Sequence, residues 1–182
     1  LVAQDVFDAA PWRLHPPLPE GPNPSIVVSE APPELVPGEF PLAKTRAVVD
    51  GDTLRLDGFR GSIRFLGLDA EETFKDRGKA TLAKTNYEEY LKTERAAHAT
   101  SRRPFKYATP LGHAAKDALE QLLKGVERVR VEYDDPERMR DGFDRALAHL
   151  LVRRGDAWLH LNVELVRQGL SPYFVKYGRC KR

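Results

Sequence analysis

The chain has 182 residues, 41% of them hydrophobic and 31% charged, and a formal net charge of +2. That length carries one domain with a sizeable core, and no apolar run approaches the roughly 20 residues a helix needs to cross a bilayer. A single cysteine, Cys180, excludes an internal disulfide and a thiolate metal cluster, and five scattered histidines (15, 98, 113, 149, 160) lack zinc-ligand spacing.

The small net charge conceals an asymmetry. Residues 1–43 carry six acids and one arginine, which leaves residues 44–182 at +7. A basic body favours a polyanionic partner. The start at Leu1 rather than methionine fits removal of an export signal and equally a shortened chain; the expected location is extracytoplasmic or secreted.

Residues 1–41 hold ten of the fourteen prolines, including HPPLPEGPNP and APPELVPG. Proline at this density forbids helix and central strand, which predicts an extended arm ahead of a domain at 42–182. From Glu39 the texture changes. AKTRAVV, TLRL, SIRFLGL, RVRVEY and RALAHLLV alternate or run apolar over short spans, with Asp-Gly, DGFRG and RRGDAW as turns. These are five predicted strands. The Asp-Gly pair in VVDGDTLRL, residues 48–56, is a hairpin signal in which glycine supplies the positive φ of a tight turn.

Residues 74–109 form a basic insertion with nine lysines and arginines against four acids. Its sparse apolar positions (Leu82, Tyr87, Tyr90, Leu91) predict an exposed helix, and SRRPFKYA interleaves basic and aromatic side chains as a phosphate-tracking, base-stacking segment would. In TPLGHAAKDALEQLLKG, Thr109 caps, Pro110 suits the first helical position, and Ala115, Leu119, Leu122 and Leu123 share a face that ends at Gly125. A last helix is predicted in NVELVRQG, with Asn162 as cap and Gly169 as stop. The fold class is therefore β-rich α+β: a small closed five-stranded Greek-key barrel with about three helices and a Pro-rich N-terminal arm.

Three stretches place charge where a strand prefers apolar residues. They are DGDT at 50–53, IRFLGLDAEET at 63–73, and RDGFDRALAHL at 140–150. In this order and spacing they resemble the staphylococcal nuclease (thermonuclease) family over about residues 42–177, including the LNVELVRQGL helix.

The resemblance implies an OB-type barrel that hydrolyses phosphodiesters in DNA and RNA with calcium and leaves 3′-phosphate ends. By position, Asp52, Asp69 and the carbonyl of Ala70 would be calcium ligands, with Asp50 as a supporting charge. Arg64 and Arg145 would flank the scissile phosphate, Glu72 would sit beside the attacking water, and Phe143 would line the substrate; Tyr173 and Tyr177, near but not aligned with the family's substrate tyrosines, would either line it too or serve core packing or a tail. If Asp50, Asp52 and Asp69 converge to about 5 Å, each pair repels by roughly 3 kcal/mol at an effective dielectric of 20, and a hard cation relieves it.

The sequence departs from the family at Glu71, where proline is usual, at Asp144, where glycine is usual, and at Phe143, where tyrosine is common. Arg64 and Asp69, five apart, face one site only if the chain bends, and Gly67 is the expected place. The alternative reading is a catalytically weakened nuclease-like domain that binds nucleic acid or protein.

Overall fold

The computed structural model describes residues 37–101 and 106–180. The predicted arm up to residue 36 and residues 102–105 of SRRPFKYA lie outside the described residues. In chain order the elements are β1 (Gly38–Pro41), β2 (Val48–Asp50), β3 (Thr53–Leu54), β4 (Ile63–Phe65), α1 (Arg77–Thr85), α2 (Tyr87–Ala97) and α3 (Pro110–Leu122). They continue with β5 (Arg128–Glu132), a 3-10 turn at Pro136–Arg138, β6 (Ala146–Arg154), β7 (Ala157–His160) and α4 (Leu161–Arg167).

The strands form one mixed sheet in the order β1-β5-β6-β4-β3-β2, with β7 also paired to β6. β6 is its spine. Its first three residues pair parallel with β4, from Ile63 opposite Ala146 to Phe65 opposite Ala148, and its later residues pair antiparallel with β5 and β7.

This corrects the expected five-stranded barrel. Seven strands and four α-helices are present among the described residues, and the sheet is not closed: the residues after β1 meet those after β3 only in an isolated bridge between Leu42 and Leu56. One extra strand is β1, at an edge where proline is tolerated because its missing N–H interrupts no inner ladder. The other is β7, which a two-residue Gly155-Asp156 turn folds straight back onto β6 and which runs directly into α4. Four residues followed at once by a helix give too short a pattern for strand alternation to register.

The core lies between the sheet and the inner faces of α3 and α4. Leu54, Ile63, Phe65, Val129, Val131, Leu150 and Val152 come from the strands, Leu119 from α3, and Leu161 and Leu165 from α4. Each such side chain contributes about 1.5–3 kcal/mol on burial. Thr109 caps α3 with Pro110 in the first turn, and Gly125 follows the helix with a φ of 73°. Asn162 is not the α4 cap. His160 holds that position, while Asn162 is buried inside the first turn, where it accepts from Leu150 N at 2.9 Å and donates to Leu66 O and Ala148 O.

The insertion forms a helical pair. Asp76 caps α1, and Asn86 closes α1 and caps α2 through a bond from Glu89 N. Tyr90 is buried, edge-on to Phe74, and its hydroxyl donates to Ala108 O at 2.8 Å. Phe74 in turn stacks on His113 of α3. The two ends of the insertion are joined where Glu72 pairs with Ala108 and Thr109 N donates to Glu72 O at 3.1 Å.

Candidate active site

The adjacent strands β3, β4 and β6 bring the first and third charged stretches together. Thr53 lies opposite Arg64, and Ile63 lies opposite Ala146, one residue past Arg145. Gly67, with a φ of 77°, turns the chain after β4 and returns Asp69 beneath Arg64. The C-terminal segment holds this bend: Phe174 N donates to Gly67 O, Leu68 pairs with Tyr173, and Ser171 Oγ accepts from Asp69 N at 2.9 Å.

Asp52 sits at the centre and is 1% exposed. Its Oδ1 accepts from Arg64 Nη1 and from the Thr53 hydroxyl, and its Oδ2 accepts from Ala70 N at 2.7 Å. Burial pushes the Asp52 carboxyl up to about 7, against the pull of Arg64, and the nearby Asp50 charge adds to the rise. Asp50 acts mainly on the turn, where its Oδ1 accepts from Asp52 N at 3.2 Å.

Gly51 does not take a positive φ. A Cβ there would stand 2.5 Å from Ala115 Cβ and 2.9 Å from Ala70 Cβ. The glycine is needed for close approach of α3 and the Ala70 segment, which replaces the turn argument drawn from the sequence.

Arg64, 8% exposed, spans two carboxylates, with Nη1 on Asp52 and Nη2 on Asp69 Oδ1 at 2.5 Å. Arg145 is more open. Its guanidinium pairs with Asp141 Oδ2 at 2.6 Å, reaches the Thr53 hydroxyl at 3.5 Å, and lies 5.4 Å from the centre of the Phe143 ring, which is 73% exposed. Asp52 and Thr53 therefore link both arginines into one polar network. Asp144, with a φ of 62°, points elsewhere and pairs with Arg140 at 3.1 Å.

Asp141 is the partner of Arg145 that the sequence reading missed. Burial opposes its ionisation, but hydrogen bonds from the Arg145 side chain and from the N–H groups of Arg145 and Phe143 outweigh this and hold its carboxyl below the usual value. The cluster of RDGFDR alone carries its signal, an acid four residues before an arginine.

Glu72 lies against the start of α3. Its backbone touches α3 so closely that a Cβ on Gly112 would stand 2.1 Å from Glu72 O. Among the described residues its half-buried side chain accepts no hydrogen bond, and the same holds for Glu71.

Tyr173 lies beside Gly67 with its hydroxyl accepting from Cys180 N, and Tyr177 packs edge-on to Phe174. Both belong to the segment that buttresses the bend. Cys180 is half-buried against Gly67, and burial raises its thiol pKa.

No three histidine, cysteine or acidic side chains gather as a metal cluster among the described residues. Arg64 joins the carboxylates of Asp52 and Asp69, and the charge of Asp50 acts on Asp52. What does gather is a set of hard oxygens, Asp69 Oδ1, Asp69 O and Ala70 O, around a cation from the chain itself. Lys106 Nζ lies 3.1 Å from the first and 3.0 Å from the second, and it also donates to Ala70 O. Carboxylate and carbonyl oxygens that already surround a positive charge are of the type calcium takes. Arg64 and Lys106 supply the relief of repulsion that the sequence reading assigned to a metal.

Comparison with known proteins identifies the family. Over 140 residues the chain is 28% identical to an uncharacterized protein of Methanocaldococcus jannaschii, covering 76% of this chain and 61% of that relative. The chain thus spans less than two thirds of the length of that curated relative. Residues 62–182, which include Arg64, Asp69, Glu72 and Arg145, match the family described as staphylococcal nuclease homologue, and the chain belongs to that family.

Proposed function

We propose that this domain hydrolyses phosphodiester bonds in DNA and RNA with little sequence preference, depends on calcium, and leaves 3′-phosphate ends. The observation that carries the proposal is the network linking Arg64 to Arg145 through Asp52 and Thr53, together with the cradle of hard oxygens at Asp69 and Ala70. A phosphodiester repels hydroxide, so cleavage needs positive charge on the non-bridging oxygens and a base near the water.

Arg145, fixed from behind by Asp141, presents a guanidinium that matches phosphate geometry and stays charged at any working pH. Arg64 adds a second positive charge and fixes the carboxylates of Asp52 and Asp69. Glu72 takes a proton from the attacking water as its oxygen bonds to phosphorus. The bond to the 5′ oxygen breaks, and that oxygen takes a proton from solvent. Such a base is typically worth about 100 to 10,000-fold. Asp52, Asp69 and the Ala70 carbonyl would hold calcium, which when bound adds positive charge at the phosphate.

Asp50 supports the turn that presents Asp52. Phe143, exposed beside Arg145, is placed to meet a base or sugar.

A second reading is a weakened domain that holds nucleic acid or protein without cutting. Lys106 favours it, because the oxygens needed for the metal are already occupied. Denatured DNA incubated with the protein, with calcium and then with chelator, separates the two. The enzyme reading expects calcium-dependent cleavage that falls about 100-fold or more in Arg145→Ala, as loss of one transition-state donor does. Salt-sensitive binding with no cleavage would establish the binding module instead.

A further inference from the structure

Lys106 has no counterpart among the residues that the proposed reaction uses, yet its ammonium lies on three oxygens of the cation cradle. We propose that Lys106 is an internal competitor for calcium: the basic insertion delivers a tethered cation that must leave Asp69 and Ala70 before a divalent ion can bind. The inference rests on the reading of Asp69 and Ala70 as calcium ligands and adds a control on that site.

The placement of Lys106 is built into the fold. Two residues on, Ala108 pairs with Glu72 and accepts from the buried Tyr90 hydroxyl, and Thr109 N donates to Glu72 O. The backbone beside Lys106 is therefore anchored from two sides, by α2 and by the catalytic segment itself. Among the described residues the side chain finds its polar partners at Asp69 and Ala70.

Its exit is open. The Lys106 side chain is 29% exposed, so the ammonium can move into water without uncovering a core.

The two cations exclude one another on size and charge. Ammonium nitrogen holds oxygens at about 2.7–3.2 Å and calcium holds them at about 2.3–2.6 Å, so both cannot share Asp69 Oδ1 and Ala70 O. Competition lowers the apparent calcium affinity by the fraction of molecules in which the cradle is free. If Lys106 fills it about nine times in ten, removal of the amine tightens calcium binding about tenfold.

Titration calorimetry of calcium alone into the full chain, at fixed ionic strength and without nucleic acid, tests this. The expected result is that Lys106→Ala and Lys106→Met, the second retaining the aliphatic stem, both bind calcium about tenfold more tightly than the unmodified chain. Lys92→Ala, which removes one positive charge from an exposed site on the same insertion, should stay within about twofold of it. Equal, measurable affinity in all four proteins would overturn the competition and leave the calcium reading standing. An equal gain in Lys92→Ala would overturn it too, since bulk charge would then explain the effect. No calcium binding in any of the four would overturn the competition together with the calcium reading.

Discussion

At the scale of single residues, the site is organised by carboxylates that hold cations in place. Asp52 fixes Arg64, Asp141 fixes Arg145, and Asp69 holds both Arg64 and Lys106. Asp141 carries a clear pH signature. Its folded-state pKa lies below the unfolded value, so the stabilisation it gives is present in full above the ordinary aspartate range and is lost as pH falls through the depressed folded value. Asp141→Asn should therefore lower stability at neutral pH, and the gap from the unmodified chain should narrow as the solution is acidified below that range. Urea unfolding at a series of pH values measures it. A gap that does not change with pH would mean that Asp141 acts only through geometry.

The residues legible from sequence were those whose charge interrupts an apolar pattern, such as Arg64 in β4 and Arg145 at the start of β6. Lys106 and Ser171 were not legible. A lysine in a basic segment and a serine in a loop carry no local anomaly, and their partners lie 37 and 102 residues away.

At the scale of elements, two glycines set the distance between α3 and the site. Gly51 lets Ala115 and Ala70 approach the turn after β2, and Gly112 lets the first turn of α3 rest on the backbone of Glu71 and Glu72. Their neighbours there are backbone or Cβ atoms, which cannot swing away. Gly112→Ala should cost about 1–3 kcal/mol by overpacking, seen as a lower urea midpoint with unchanged slope, and should also displace Glu72. No change in midpoint would show that α3 can shift along the sheet. Caps and stops of α3 were readable in advance because they depend on Thr109, Pro110 and Gly125 alone. The cap of α4 was misread because Asn162 is drawn inward to satisfy Leu150, Leu66 and Ala148.

At the scale of the whole molecule, β6 joins the two parts of the sheet. It pairs with β4, β5 and β7, and it carries buried Ala146, Leu147, Ala148, Leu150 and Val152. Damage to its centre should be felt everywhere at once. Leu150→Ala should cost about 2–5 kcal/mol and keep a single cooperative transition, with fluorescence and far-UV dichroism coincident during urea unfolding. Separate transitions would mean that the β2-β3-β4 portion unfolds apart from the rest.

The sequence by itself determined the mixed α+β character, most strand positions, the existence of helices α3 and α4, and the family, because those depend on local periodicity, turn residues and the spacing of a few charges. Only the tertiary structure decided that the sheet stays open, that Gly51 serves packing, that Asp141 holds Arg145, and that Lys106 enters the cation cradle. The physical reason is range. Local pattern reports the backbone that a segment prefers, whereas the partner of a buried charge is chosen by whichever opposite charge the fold brings within a few ångströms.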